Sequence, residues 1–261
     1  MLLTIDAGNT DTLFALFDAE GAVAGRWRLS TNAKRTADEY GMFAQFFLDK
    51  AGLAPQQVTG ICISCVVPAA LHAMERAARR DFGLTAEPVI LGRADVKPGI
   101  RIATDYPEEV GADRIANALA VHAEKPRNAI IVDFGTATTL DVIDCEGAYH
   151  GGVIAPGVQI SMKSLHSAAA RLPEIAFARP QVVIGRNTVS ALTSGMFYGY
   201  LSMIEGLITR IAEERGGEIE AVIATGGLAG QFASAGTCIT AYEPDLTIRG
   251  LHHLYRLNRA G

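Results

Sequence analysis

Leu3-Thr4-Ile5-Asp6-Ala7-Gly8-Asn9-Thr10 is an apolar run that ends in a carboxylate and passes at once into small and hydroxyl-bearing residues. A second apolar run, Leu13 to Phe17, follows and ends at Asp18-Ala19-Glu20-Gly21. Two apolar runs around a short Gly/Asn/Thr segment predict a strand, a tight turn and a returning strand, with an acid at the tip. The same arrangement occurs once more at Ile130-Ile131-Val132-Asp133-Phe134-Gly135-Thr136-Ala137-Thr138-Thr139, returning to Asp144-Cys145-Glu146-Gly147. Two such tips in one chain point to a nucleotide gripped by two related halves.

Outward from the first hairpin, Arg26 to Ser30 continues as a third strand. Thr36 and Glu39 have capping-box spacing, so a helix follows, with Met42, Phe43, Phe46 and Phe47 expected on its buried face and its end near Gly52. Val58 to Val67 reads as a buried strand. Pro68 opens a helix that stops before Gly83, and Pro88 to Leu91 is a short strand. A loop, Lys97 to Val110, leads to Gly111-Ala112-Asp113-Arg114 and a small-residue helix through His122.

In the second half, Ala148 to Ala155 is the third strand, and Pro156-Gly157 leads into a helix through Ser167. A proline-containing loop, Leu172 to Arg179, precedes Ile184-Gly185-Arg186-Asn187-Thr188 and a long helix to about Arg215. Ile219 to Ala224 is a strand running into Thr225-Gly226-Gly227. Thr237 to Ala241 is a short strand, and Asp245 to Arg259 a closing helix. Each half therefore reads strand–strand–strand, helix, strand, helix, with Ile61-Cys62-Ile63-Ser64 matching Val222-Ile223-Ala224-Thr225. This internal duplication predicts an α/β protein of two domains, 1–124 and 125–261, each a mixed sheet flanked by helices, with a cleft between them.

The 261 residues are 49% hydrophobic and 20% charged, which supplies ample core and no mark of disorder. The net charge of −5 argues against nucleic acid as a partner, because a phosphate backbone needs a basic face. Cys62 and Cys65 have CxxC spacing but lie inside a β-like run. A redox pair belongs at a helix N-terminus, and zinc needs a second pair that is absent, so these two thiols read as buried small hydrophobes; the remaining cysteines are Cys145 and Cys238. No signal peptide or membrane span is visible, and the protein is expected to be cytoplasmic, with no membrane partner.

In the first loop, Gly8 lets backbone approach a phosphate, while Asn9, Thr10 and Thr12 supply hydrogen-bond donors. Asp6 cannot itself hold a phosphate; beside one, its natural role is to hold Mg²⁺. Asp133, with Gly135, Thr136, Thr138 and Thr139, repeats that chemistry. Neither is a Walker A loop, since no GxxxxGK[ST] occurs. Asp113 and Arg114 admit two readings. They are either a charge-favourable first helical turn, or a kinase-type base and a cationic clamp, with Ala112, Ala116 and Ala118 small enough to let another surface come close. Gly226-Gly227 reads either as backbone facing an adenine or ribose, or as a plain tight turn. Gly195, Gly199, Ser202 and Gly206 form a small-residue stripe, for close helix approach either across a dimer two-fold or inside the subunit. No metal-spaced histidines and no G-x-S-x-G are present.

Five stretches, taken in order, resemble the type III pantothenate kinases. They are Asp6-Ala7-Gly8-Asn9-Thr10, Glu109-Val110-Gly111-Ala112-Asp113-Arg114, Asp133-Phe134-Gly135-Thr136-Ala137-Thr138-Thr139, Gly151-Gly152-Val153-Ile154-Ala155-Pro156-Gly157 and Ile184-Gly185-Arg186-Asn187-Thr188. The resemblance spans essentially the whole chain. It implies duplicated ribonuclease-H-like domains of the acetate and sugar kinase/Hsp70/actin (actin-like ATPase) superfamily. It also implies ATP-dependent phosphorylation of pantothenate at its 4′-hydroxyl, the first step of coenzyme A biosynthesis. By that similarity Asp6, Ala7, Gly8, Asn9, Thr10, Asp11, Thr12 and Leu13 form the first ATP-phosphate loop, and Thr136 contacts ATP. Gly111, Ala112, Asp113 and Arg114 contact pantothenate, with Asp113 as proton acceptor, and Thr188 contacts it too. Asp133 holds K⁺ or NH₄⁺, and a divalent ion such as Mg²⁺ is required, with Asp6 the candidate to hold it. Members are typically homodimers. One departure stands out: many members carry a substrate-contacting Tyr seven residues before the Gly of the GADR motif, where this chain has Thr104, with Tyr106 nearby. Two rivals are a different kinase or a phosphatase of the superfamily, and a regulatory protein. The three acids and the acidic net charge weigh against the second.

Overall fold

The computed structural model describes residues 1–169, 172–235 and 238–259. The chain divides into two compact units, Met1–Lys125 with Asp245–Gly261, and Pro126–Pro244.

The first unit opens with the hairpin β1 (Leu2–Ala7) and β2 (Asp11–Phe17), followed by β3 (Val23–Ser30), α1 (Ala37–Lys50), β4 (Gly60–Cys65), α2 (Pro68–Asp81), β5 (Val89–Ile90), the two-residue β6 (Arg101–Ile102) and α3 (Ala112–Glu124). Its sheet runs β3-β2-β1-β4-β5. β1 pairs antiparallel with β2 and parallel with β4, because a tight turn permits only an antiparallel return, whereas α1 provides the crossover that a parallel neighbour needs. Alternation sorts the two faces. Leu3, Ile5, Phe14, Leu16, Ile61 and Ile63 pack with α1 and α2. Leu2, Ala15, Phe17 and Cys62 pack with α3 and with Ile248, Leu251 and Leu254 of the last helix, α7 (Leu246–Arg259).

The expected capping box of α1 is present, with Thr36 as cap and Glu39 reaching back to it. Its buried stripe differs from expectation. Tyr40, Ala44, Phe47 and Leu48, at helical spacing, face the core, and Phe43 is partly buried against it. Met42 and Phe46 fall off that stripe and are 59% and 52% exposed. Phe46 leans edge-on against Phe47 and under the Lys50 ammonium, which screens part of its ring without taking it into the core.

The second unit repeats the plan with β7 (Ala129–Phe134), β8 (Ala137–Ile143), β9 (Ala148–Pro156), α4 (Val158–Ala168), α5 (Thr188–Arg215), β10 (Ala221–Thr225), the short α6 (Ala229–Ala233) and β11 (Ala241–Tyr242). β11-β10-β7-β8-β9 lie side by side in the same sense as β5-β4-β1-β2-β3. A helix was expected to start at Gly226-Gly227, and α6 follows there; β11 starts later than expected, at Ala241, and Thr237, placed in that strand by the sequence, lies outside the described residues. α5 begins at an Asn187–Ser190 capping box and ends at Gly216 in the left-handed conformation.

The closing helix was expected with residues 125–261, but it packs in the first unit. Gly250 lies so close to α3 that a Cβ there would meet the Ala116 carbonyl oxygen at 1.9 Å. Thr247 donates to Asn117 at 2.7 Å, and Arg249 donates to Glu124 at 2.9 Å. The small residues of α3 therefore serve this helix–helix contact.

Candidate active site

The strands of the two hairpins match residue for residue. β1 and β7 share one burial pattern, as do β2 and β8. Asp6 stands opposite Leu13, and Asp133 opposite Thr139. Each acid is half-buried, next to last in its strand. The first turn closes through Gly8 N–H to the Asp11 carbonyl at 3.0 Å. The second is one residue shorter and closes through Gly135 N–H to the Ala137 carbonyl at 3.0 Å. Asn9, Thr10 and Thr136 are exposed at the tips. Thr12 is buried and shares a 2.8 Å hydrogen bond with Thr31.

The neighbouring parallel strand sets a hydroxyl beside each acid: Ser64 registers with Asp6, and Thr225 with Asp133. Both hydroxyl residues are buried. Ser64 Oγ has no hydrogen-bond partner among the described residues, although a buried hydroxyl normally finds one. An acid beside an unsatisfied buried hydroxyl fits the oxygen-rich surroundings of a hard divalent cation. At Asp133 the oxygen set is a carboxylate flanked by Thr225 and Thr139, which fits a hard monovalent ion. The next residue differs between halves. Gly226 has φ +91°, and a Cβ there would meet Asp133 Oδ1 at 2.5 Å and the Phe134 nitrogen at 2.7 Å. Gly226 is thus a turn glycine that makes room for the Asp133 carboxylate, while Gly227 borders open space. Cys65 takes the equivalent place in the first half. Burial, and after it the Asp6 charge, pushes its thiol up from the ordinary value. Cys62 lies wholly buried in the strand, and all four cysteines are free.

Asp113 and Arg114 sit half-buried in the first turn of α3, whose cap is Gly111. Asp113 Oδ1 accepts the Arg114 N–H at 2.9 Å, so the carboxylate faces the positive end of the helix. The start of this helix and the first loop share one side of the sheet: Leu13, Val110 and Ala112 pack against the same cluster as Ile115 and Ala116. The first unit thus carries Asp6 to Leu13 and Gly111 to Arg114, and the second carries Asp133, Thr136 and Thr188. Thr188, exposed at the first turn of α5, lines a groove of about 570 Å³ with Gly185, Arg186, Asn187 and Gly195. A cavity of about 370 Å³ adjoins it, walled by α4, residues 172–177 and α5. A Cβ added at Gly195 or Gly199 would meet no atom of the described residues within 4 Å, so no close contact among these residues calls for a glycine there. Thr104 Oγ1 is buried without a partner among the described residues, and Tyr106 is 63% exposed.

A family model described as type III pantothenate kinase matches residues 2–210. The chain belongs to the type III pantothenate kinase family. A type III pantothenate kinase of Paramagnetospirillum magneticum is 47% identical over 258 residues, 99% of this chain and 98% of its own length. One of Acidiphilium cryptum is 48% identical over 260 residues, 100% of this chain and 96% of its own. Among solved structures, component A of the (R)-2-hydroxyglutaryl-CoA dehydratase of Acidaminococcus fermentans matches with a TM-score of 0.55 at 12% identity, over 97% of this chain and 96% of that one. That likeness bears on the fold alone, which is the mixed α/β fold of the actin-like ATPases and sugar kinases. One set of contacts beside Asp133 escaped the sequence reading: Thr139 and Tyr149 both donate to the buried Asp141. The available signal was a lone acid in the middle of a strand, two residues after a threonine.

Proposed function

We propose that this protein transfers the γ-phosphoryl group of ATP to the 4′-hydroxyl of pantothenate, the first step of coenzyme A biosynthesis, in the cytoplasm and as a homodimer. Membership of the family along nearly the whole chain carries this reading. The two Asp-x-Gly loops hold the phosphates of ATP through their backbone N–H groups and hydroxyls, with Asp6 to Leu13 forming the first loop and Thr136 contacting the nucleotide from the second. Gly111, Ala112, Arg114 and Thr188 hold pantothenate. Asp113 orients the attacking hydroxyl and takes its proton as the new O–P bond forms and the bond to the leaving ADP breaks. Arg114 offsets charge on the transferring group or clamps the pantothenate carboxylate. Mg²⁺ held at Asp6, and K⁺ or NH₄⁺ held at Asp133, supply positive charge against the phosphate oxygens. The open Gly195 and Gly199 of α5, with the exposed Ser202, support a partner subunit on that face. Among the described residues no helix is long and apolar enough to cross a membrane.

The test is an ATP-consumption assay with pantothenate against a panel of sugar, acetate and polyphosphate substrates. Pantothenate is expected to stand alone, and Asp113→Asn should lower kcat by about 10²–10⁴-fold with the fold intact. Near-wild-type turnover by that variant would sink the assignment of the base.

A further inference from the structure

The second loop is tied into the core in a way the first is not. Asp141 is fully buried in β8, and a buried carboxylate is tolerated only when hydrogen-bonded. Tyr149, also fully buried, donates to its Oδ1 at 2.6 Å, and Thr139 donates to its Oδ2 at 3.0 Å. The β8–β9 ladder shifts register here, from Asp141 opposite Gly152 to Ile143 opposite Tyr149, a local irregularity of the kind that re-aims side chains. Gly152 permits it, since a Cβ there would lie 1.9 Å from the Leu140 carbonyl oxygen. Thr139 stands across the ladder from Asp133, and Asp141 follows two residues on, on the same face of the sheet. The equivalent positions of the first hairpin are Leu13 and Ala15, which can form no such chain.

We propose that Asp141, fixed by Tyr149, is a positioning residue for a monovalent-cation site at Asp133, and that Thr139 supplies one of its oxygen ligands. The inference rests on the assignment of the monovalent ion to Asp133. Because the Thr139 proton is directed to Asp141 Oδ2, the hydroxyl oxygen is left to present lone pairs, as a cation requires. With Thr225 on the other side of Asp133, the site is made entirely of hard oxygen donors.

Two readouts test this on the full-length protein. One is thermal unfolding with ADP in KCl against tetramethylammonium chloride at equal ionic strength, which reads binding without turnover. The other is a K⁺ titration of pantothenate-dependent ADP release. Asp141→Asn and Thr139→Val are each expected to raise the half-maximal K⁺ concentration by about tenfold or more in both assays. Thr139→Ser should restore the wild-type response, and Tyr149→Phe should give a smaller rise. Should Asp141→Asn fail to fold, Thr139→Val against Thr139→Ser decides. A wild-type K⁺ response in folded Thr139→Val, alongside its loss in Asp133→Asn, would overturn the brace and leave the Asp133 assignment standing. Indifference of the wild-type protein to K⁺ would overturn both.

Discussion

The hairpin that carries Asp6 and the hairpin that carries Asp133 have the same strand order, the same burial pattern and a buried hydroxyl at the same place beside the acid. They differ in what surrounds that shared frame. The first turn is one residue longer, is backed by apolar Leu13 and Ala15, and has the Cys65 thiol where the second has Gly226. The second is shorter, is braced by Asp141 and Tyr149, and leaves room for the carboxylate by dispensing with a side chain. A duplicated frame fixes where an acid stands; on the proposed assignment, the residues one strand away set which ion it serves.

The largest effect that would sharpen this contrast comes from placing alanine at the equivalent position of each half. Gly226→Ala places a Cβ against Asp133 in a left-handed backbone, a strain of about 1–3 kcal/mol. It should lower Tm and weaken the K⁺ response together. Cys65→Ala, its counterpart, trims a partly exposed thiol and should leave the K⁺ response unchanged. Equal effects of the two, read by thermal unfolding in KCl, would erase the proposed asymmetry. A smaller effect concerns charge. Burial and the Asp6 carboxylate both raise the Cys65 thiol, so it stays protonated at neutral pH. Thiol alkylation followed by mass mapping should therefore modify exposed Cys145 before Cys65. Asp6→Asn, by removing the negative charge, should move the onset of Cys65 alkylation to lower pH. An onset that does not move would show that the Asp6 charge is not felt at Cys65.

Both hairpins were legible because their signal is local: alternation, a glycine at the turn, and an acid at the strand end. The duplication followed by matching them. The affiliation of α7 was not legible, since chain order says nothing about which sheet a helix covers. It is settled by Gly250 meeting Ala116 and by Ile248, Leu251 and Leu254 closing the far side of the first sheet. The buried face of α1 was misjudged because four aromatic and aliphatic residues were grouped by type, whereas helical spacing selects Tyr40, Ala44, Phe47 and Leu48. The Asp141 brace depends on a register shift between β8 and β9 that no short-range pattern encodes. Of the Gly226-Gly227 pair, Gly226 is needed by the turn and the acid, whereas Gly227 borders open space.

The division of labour between the two acids is tested most directly by cross-titration. Residual pantothenate-dependent ADP release by Asp6→Asn and by Asp133→Asn is measured against Mg²⁺ at fixed K⁺, and against K⁺ at fixed Mg²⁺. The expected result is that Asp6→Asn shifts the Mg²⁺ requirement by about tenfold or more and leaves the K⁺ requirement near wild type, while Asp133→Asn does the reverse. Both variants shifting the same ion, or neither ion shifting in either, would contradict the account.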